Sequence, residues 1–212
     1  MPINYAIRAE VVALGSDSPQ SSDSFLVDSN VWYWLTYSRA SQAVNGPKSY
    51  QLKHYPDYIR NAKSASAKLL HSGLSLAELA HLIEKTEREI FIRARGLSIS
   101  NKEYRHNYPT ERTIKVVAEV EDAWEQVKAI ADPLNLSVDE STTNAALVRF
   151  KTQLLDGYDL FILESMTRAG IFQVITDDGD FATVPGIQVF TANQNVITAA
   201  RNQGKLLRRQ YR

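Results

Sequence analysis

The sequence predicts an α/β protein in which helices cover both faces of a parallel sheet. Short apolar runs of strand length, such as Phe25–Val27 and Val174–Ile175, alternate with longer segments of helical periodicity. Runs that are apolar throughout are typical of parallel strands, because such strands are buried on both faces. Carboxylates directly follow two of the runs, and ligand sites in parallel sheets form beyond the carboxyl ends of the strands.

Length and composition indicate one globular domain. The 212 residues are 44% hydrophobic and 23% charged, which is near the globular average and makes disorder, collagen or coiled coil poor descriptions of the chain. The sequence has no cysteine, which excludes disulfide frameworks, thiolate metal sites and a cysteine nucleophile. Since there are only four histidines, we expect any metal ion to be held mainly by oxygen.

The charges balance overall but not along the chain. Lys plus Arg and Asp plus Glu are both 24, yet residues 181–212 contain five basic residues and no acidic one. Such a basic segment is compatible with nucleic-acid binding and equally with a solvated tail. No apolar run reaches the roughly 18 residues of a membrane helix, and the start lacks the order of a signal peptide. We therefore expect a cytoplasmic protein that does not enter a membrane.

The first third of the chain predicts an extension, a strand and an insertion. Residues 1–23 form an N-terminal extension, in which Ile3–Leu14 is compatible with an edge strand and the remainder with a linker. A strand over Ser24–Asp28 and a helix over Asn30–Tyr37 follow. Residues 39–72 read as a helical insertion, with a weakly amphipathic helix over Lys48–His71.

The rest of the chain alternates between helices and strands. The clearest helix, Ser75–Arg95, has apolar residues at helical spacing on one face and Gly96 beyond its end. Further helices are predicted over Thr110–Ala131, Asp139–Leu155 and Asp159–Ala169, and strands over Leu134–Val138, Phe172–Thr176 and Ile187–Phe190. Residues 193–212 form a basic C-terminal segment.

Four acidic residues stand out, and each also has a structural explanation. Asp28 and Asp159 are placed to cap the helices that follow them. Asp178, followed by glycine, suits a tight turn, and Glu78 completes a capping box with Ser75. Considered together, however, two of these acids end strands and two open helices. Carboxylates gathered in one cleft repel each other, and Mg²⁺ or Mn²⁺ relieves that repulsion and activates water for phosphodiester chemistry.

Four segments resemble, in order, the motifs of PIN-domain nucleases. They are Phe25–Val31, Ser75–Leu79, Tyr158–Ser165 and Val174–Phe181, the last continued by residues 184–187. The resemblance covers about residues 24–191 and does not extend to residues 1–23 or 39–72. It implies a three-layer α/β/α sandwich with a central parallel sheet, with the nuclease domain at residues 24–192.

The resemblance also implies an activity, which is metal-dependent cleavage of RNA. Asp28, Glu78, Asp159 and Asp178 would be the catalytic acids and would hold Mg²⁺ or Mn²⁺. Asp177 and Asp180 are additional candidates for metal ligands. Asn30 and Thr176 would contact either the metal ligands or the substrate. The most similar branch is that of the VapC-like toxins, which implies a cognate antitoxin and a homodimer.

Other charged residues receive lesser roles, and two alternative functions stay open. Glu164 is expected to be solvated or an ion-pair partner. Candidates for contact with the RNA backbone are Arg93, Arg95, Lys102, Arg105 and the C-terminal Arg201, Lys205, Arg208, Arg209 and Arg212. One alternative is a non-catalytic module of the same fold that binds RNA or protein. The other is an acidic-site enzyme that acts on DNA or on small phosphorylated molecules.

Overall fold

The computed structural model describes residues 3–209, and within this range seven parallel strands form one sheet. The strands are β1 Glu10–Ala13, β2 Ser24–Val27, β3 Lys68–Ser72, β4 Asp132–Leu134, β5 Gln173–Ile175, β6 Gln188–Thr191 and β7 Leu206–Leu207. Their order across the sheet is β4-β3-β2-β5-β6-β1-β7, and every neighbouring pair is parallel. The predicted α/β class with a central parallel sheet is confirmed.

Helices cover both faces of this sheet. They are α1 Ser29–Thr36, α2 Ser49–Ser64, α3 Leu74–Arg95, α4 Asn101–Asn107, α5 Pro109–Glu111, α6 Val117–Ile130, α7 Glu140–Phe150, α8 Gly157–Arg168 and α9 Gln194–Asn202, with a π-helical turn between α5 and α6. Helices α1, α2, α3 and α6 pack on one face, and α7, α8 and α9 on the other. The architecture is therefore the expected three-layer sandwich. In the described part of the chain, no helix is long and apolar enough to cross a bilayer.

Alternation along the strands builds a core on each face. Phe25 and Val27 of β2 join the cluster under α1 and α2, whereas Leu26 between them joins the cluster under α8. This follows from the period of two in a strand, where successive side chains point to opposite faces. Burial on both faces explains why the strand sequences are apolar throughout.

The strand order places a crevice at one edge of the sheet. From β2 the chain proceeds outward to β3 and β4, and from β5 it proceeds the other way to β6. The direction therefore reverses between β2 and β5, which are hydrogen-bonded neighbours with Val27 opposite Ile175. In open α/β sheets, ligands bind beyond the carboxyl ends of the strands at this reversal point.

Both chain termini contribute to the sheet, which corrects two expectations. The strand within Ile3–Leu14 is not an edge strand, because β1 lies between β6 and β7 and pairs with both. Its Val11 and Val12 are buried, as in an interior strand. The basic C-terminal segment supplies α9 and β7, so most of it is packed and not a solvated tail. Arg212 lies outside the described residues.

The predicted insertion contains a strand of the sheet. The helix expected over Lys48–His71 ends at Ser64, because Ser66 has a φ of 61° and Lys68–Ser72 forms β3 between β2 and β4. Leu69 and Leu70 fill opposite faces of the core. Burial of these two leucines on both faces of the sheet therefore stabilises a strand, although the composition of the preceding segment favours a helix. The strand expected over Leu134–Val138 instead begins at Asp132, as β4.

Candidate active site

The carboxyl ends of β2 and β5 hold Asp28, Thr176 and Asp178 together. The Asp28 backbone N–H donates to the Ile175 carbonyl at 3.0 Å, which continues the strand pairing. The buried Thr176 hydroxyl donates to Asp28 Oδ2 at 2.6 Å and accepts the Asp178 backbone N–H at 2.9 Å. One threonine thus fixes the orientation of one acid and the backbone of another.

Helices α3 and α8 bring two further carboxylates to the same edge. Glu78, the fifth residue of α3, accepts a hydrogen bond from the hydroxyl of Ser29, which directly follows Asp28. Asp159, the third residue of α8, is 8% exposed. Its side chain makes no hydrogen bond to any group within residues 3–209. Residues that are far apart in the sequence therefore supply one group of acids.

The pKa values of these four acids are all raised. Burial is the largest cause for Asp28, Glu78, Asp159 and Asp178 alike. Repulsion from neighbouring carboxylates raises the pKa further, and for Asp159 it comes from Asp28, Asp178, Glu78 and then Asp156. Both effects oppose the charged form of a carboxyl group. The pKa values therefore indicate that the acids lie within electrostatic range of one another.

Asp156 belongs to this group, although the sequence analysis did not select it. It is exposed and occupies the N-cap position of α8 without a side-chain cap hydrogen bond. After burial, it is the first neighbouring charge that raises the pKa of Glu78. The sequence offers one signal for it, an Asp-Gly pair directly before an apolar helix. We refer to Asp28, Glu78, Asp156, Asp159 and Asp178 as the carboxylate cluster.

The carboxylate cluster differs from the buried Glu164, which has cationic partners. Glu164, also on α8, accepts hydrogen bonds from Arg149 Nε at 2.9 Å and Arg168 Nε at 2.8 Å, which confirms the expected ion pair. Burial raises the pKa of Glu164, but the two arginines outweigh it and the net shift is downward. Within residues 3–209, by contrast, no acid of the cluster has a Lys, Arg or His partner within 4.0 Å. Buried, unpaired charges are costly and concentrate at functional sites.

The capping roles that the sequence suggested are mostly absent. Asp28 stands at the N-cap of α1, but its side chain makes no cap hydrogen bond. The capping box of Glu78 is wrong, because α3 begins at Leu74. Asp159 is not a cap either, since it lies inside α8. The turn at Asp178 does form, because the Asp180 backbone N–H donates to Asp178 Oδ1 at 2.9 Å.

Asp177 and Asp180, the other metal candidates, differ in their surroundings. The Asp177 carboxylate accepts hydrogen bonds from three α2 side chains: the hydroxyls of Tyr50 at 2.9 Å and Tyr55 at 2.6 Å, and Gln51 Nε2 at 2.6 Å. Asp177 is therefore turned toward α2 and anchors this helix to the acidic turn. Asp180 is half-buried, and burial followed by the nearby acids raises its pKa.

The N-terminal segment also reaches the acidic turn. A Cβ atom added to Gly179 would lie 2.3 Å from two atoms of the Tyr5 ring, so the ring rests directly on the glycine backbone. Burial, followed by the charges of Asp178, Asp180 and Asp177, raises the pKa of the Tyr5 phenol. Glycine at position 179 is therefore required by close packing. Sequence reasoning missed Tyr5 because only the folded chain brings it to this turn.

A cleft of about 600 Å³ opens beside the cluster. It is lined by Ser29, Asn30, Ala77, Glu78, Ala80, His81, Leu82, Glu84, Arg105, Asp156 and Tyr158. Asn30 therefore lies where the sequence analysis expected, next to the acids. Arg105 donates to both oxygens of Glu84, at 2.6 and 2.9 Å.

Other basic candidates for RNA contact lie elsewhere. Arg93 donates to the Gln42 carbonyl, and Arg95 pairs with Glu111. Arg209 pairs with Asp17 and Asp23 and lies over the Phe190 ring, and Lys205 lines a different pocket, which is formed around the amino ends of the strands. Among the cationic residues proposed from the sequence that fall within residues 3–209, Arg105 is thus the one that lines this cleft.

The cluster is not a preformed chelate, and sequence comparisons do not identify the chain. In the range 3–209, no group of three or more His, Asp or Glu side chains stands close enough together to hold one ion. No model of a protein family matches the sequence, and no curated protein matches it. The functional assignment therefore depends on the chemistry of the site.

Proposed function

We propose that the protein is a metal-dependent endoribonuclease whose carboxylate cluster holds Mg²⁺ or Mn²⁺. One observation carries the proposal: the buried Asp28 and Asp159 and the half-buried Asp178 repel each other, and no cationic side chain within residues 3–209 neutralises them. A divalent cation would supply the missing positive charge. Carboxylate oxygens are also the hard ligands that these two ions prefer.

Asp28, Glu78, Asp159 and Asp178 would be the ligands. Thr176 orients the carboxylate of Asp28 and Ser29 that of Glu78. Asp159 lies in the first turn of α8, where the partial positive charge of the helix N-terminus stabilises its anion. Asp177 is left out of the ligand set, since α2 side chains occupy its oxygens.

The raised pKa values make ion binding dependent on pH. A carboxyl group must release its proton before it binds a cation, so the affinity for the ion should increase with pH. When bound, the ion would provide an activated water and stabilise negative charge at the phosphodiester. The resemblance to PIN-domain nucleases favours RNA as the substrate, which would bind in the cleft beside Glu78.

Cleavage assays test the proposal directly. Single-stranded RNA and DNA of the same sequence should be incubated with the protein and Mg²⁺, Mn²⁺ or EDTA. We expect RNA cleavage with either ion, none with EDTA, and a large loss of activity in Asp28→Asn and Asp159→Asn. Glu125→Gln, a change of the same kind at a largely exposed position on α6, should leave the rate unchanged. Equal activity in all variants would refute the assignment.

A second candidate is a non-catalytic module that binds RNA or protein through the same fold. One observation favours it, namely that no three acids within residues 3–209 stand ready to chelate an ion. Such a module should bind its partner equally well with and without EDTA and should cleave no RNA. The toxin role, the antitoxin partner and the homodimer stay predictions of the sequence resemblance.

A further inference from the structure

A second pocket adjoins the cleft and has the size of one aromatic ring. It measures about 170 Å³ and lies between α1, the loop before α2, and α3. Asn30 lines both cavities, so the pocket opens beside the carboxylate cluster. A dry engineered cavity of about 150 Å³ accepts benzene. The pocket therefore suits a single heterocycle and is too small for a whole nucleotide.

Trp34 provides one wall of this pocket. It is half-buried and packs against the Tyr55 ring, with a centroid distance of 5.3 Å. Tyr33, next to it, is fixed by a hydrogen bond of 2.7 Å between its hydroxyl and that of Thr86. A fixed aromatic wall next to a polar site is the usual platform on which proteins stack an unpaired base.

Glu89 provides a buried acceptor in the same pocket. It is 7% exposed, and the Val44 backbone N–H donates to its Oε2 at 2.7 Å. No group within residues 3–209 bonds to its other oxygen, Oε1, and the amides of Asn30 and Asn45 are likewise unused in that range. Because Glu89 lines the pocket, this oxygen is available to accept a hydrogen bond from a ligand that carries an N–H group.

We propose that the pocket binds one nucleobase of the RNA next to the scissile phosphate, and that Glu89 selects a base with an exocyclic amino group. Adenine, cytosine and guanine each carry an exocyclic amino group, whereas uracil has none and presents its O4 carbonyl where cytosine has its amino group. Trp34 stacks on the base, and the amides of Asn30 and Asn45 complete the contacts to its edge. The inference rests on the proposed function, which supplies RNA as the substrate.

The test exchanges the acceptor at Glu89 for a donor. In Glu89→Gln the amide oxygen can still accept the Val44 N–H, while an NH₂ group replaces the free oxygen. Cleavage sites in a random RNA pool are sequenced for both proteins. We expect the wild type to prefer amino-bearing bases at one position beside the cut by about tenfold, and Glu89→Gln to shift this preference to uracil. Glu125→Gln should keep the wild-type preference. Identical preferences in wild type and Glu89→Gln would overturn the inference while leaving the nuclease intact.

Nucleoside binding separates the two proposals if no RNA is cleaved. The indole N–H resonance of Trp34, assigned with Trp34→Phe, is followed by NMR during titration with cytidine and with uridine. Tighter binding of cytidine, reversed in Glu89→Gln, would support the base pocket even though the nuclease proposal had failed. No response to either nucleoside, or an equal response to both, would overturn the base pocket.

Discussion

Replacing Asp159 by Asn should stabilise the metal-free protein at neutral pH. Asp159 is almost fully buried, and burial, followed by repulsion from Asp28 and Asp178, raises its pKa. The folded state therefore binds the proton more tightly than the unfolded state, in which the pKa is about 3.9. Wild-type stability should fall as the pH rises from that value toward the raised pKa of the folded state. Asparagine carries no charge, so the variant should not lose stability in this way as the pH rises.

The size of the effect follows from the proton linkage. One carboxyl group changes the unfolding free energy by up to about 1.4 kcal/mol per pH unit inside this window. Between pH 5 and pH 7, the unfolding free energy of the variant relative to that of the wild type should therefore increase by up to about 2.7 kcal/mol. For a chain of this length, 1 kcal/mol shifts the melting temperature by about 2–4 °C, so the gain should reach about 5–10 °C.

Glu164→Gln is the matched control, because it lies on the same helix and is equally buried. Its pKa is lowered by Arg149 and Arg168, so its contribution to stability is present at neutral pH and is lost at acidic pH. Replacing Glu164 by glutamine should lower the free energy of unfolding by about 1–3 kcal/mol at pH 7 and by less at pH 4. Urea unfolding in EDTA between pH 4 and pH 8 measures both variants. If Asp159→Asn were less stable than the wild type, or if the difference did not change with pH, the electrostatic reasoning would be wrong.

Three further changes test other contacts. Gly179→Ala should lower the melting temperature because its Cβ would collide with the Tyr5 ring, and adding Tyr5→Ala should recover part of the loss; additive effects in the double variant would argue against the contact. Asp177→Asn should lower the free energy of unfolding by about 1–3 kcal/mol in urea. It should reduce the affinity for Mn²⁺ less than a change in the carboxylate cluster does. If it reduced that affinity more, Asp177 would belong to the ligand set. Thr176→Val removes the hydrogen bond that lowers the pKa of Asp28. The acid limb of the pH–rate profile for RNA cleavage should therefore move to higher pH. A limb at the same pH as in the wild type would contradict this.

The fold was predictable where burial leaves a strong pattern. Phe25–Val27 and Val174–Ile175 are apolar on both faces, and α3 has a long apolar stripe, so these elements were found. The strand β3 was missed because its two leucines follow a segment rich in Lys and Ala that forms a helix. Strand β7 has only two residues, and its pairing with β1 is decided by contacts that no local pattern reveals.

The site was predictable to the extent that it follows strand ends. Asp28 and Asp178 directly follow strands, and the rule for parallel sheets brings them to one edge. Asp156 and Tyr5 were missed, because their positions depend on how α8 and the N-terminal segment pack. The position of Glu89 in the pocket was also beyond sequence analysis, because a hydrogen bond from the distant loop residue Val44 holds one of its oxygens.

Calorimetric titration with Mn²⁺ at pH 7 tests most directly whether the carboxylate cluster is a cation site. We expect saturable binding by the wild type, accompanied by proton release, an unchanged affinity in Glu125→Gln, and an affinity at least about tenfold lower in Asp159→Asn. An absence of binding by the wild type, or equal affinities in the wild type and Asp159→Asn, would contradict the account.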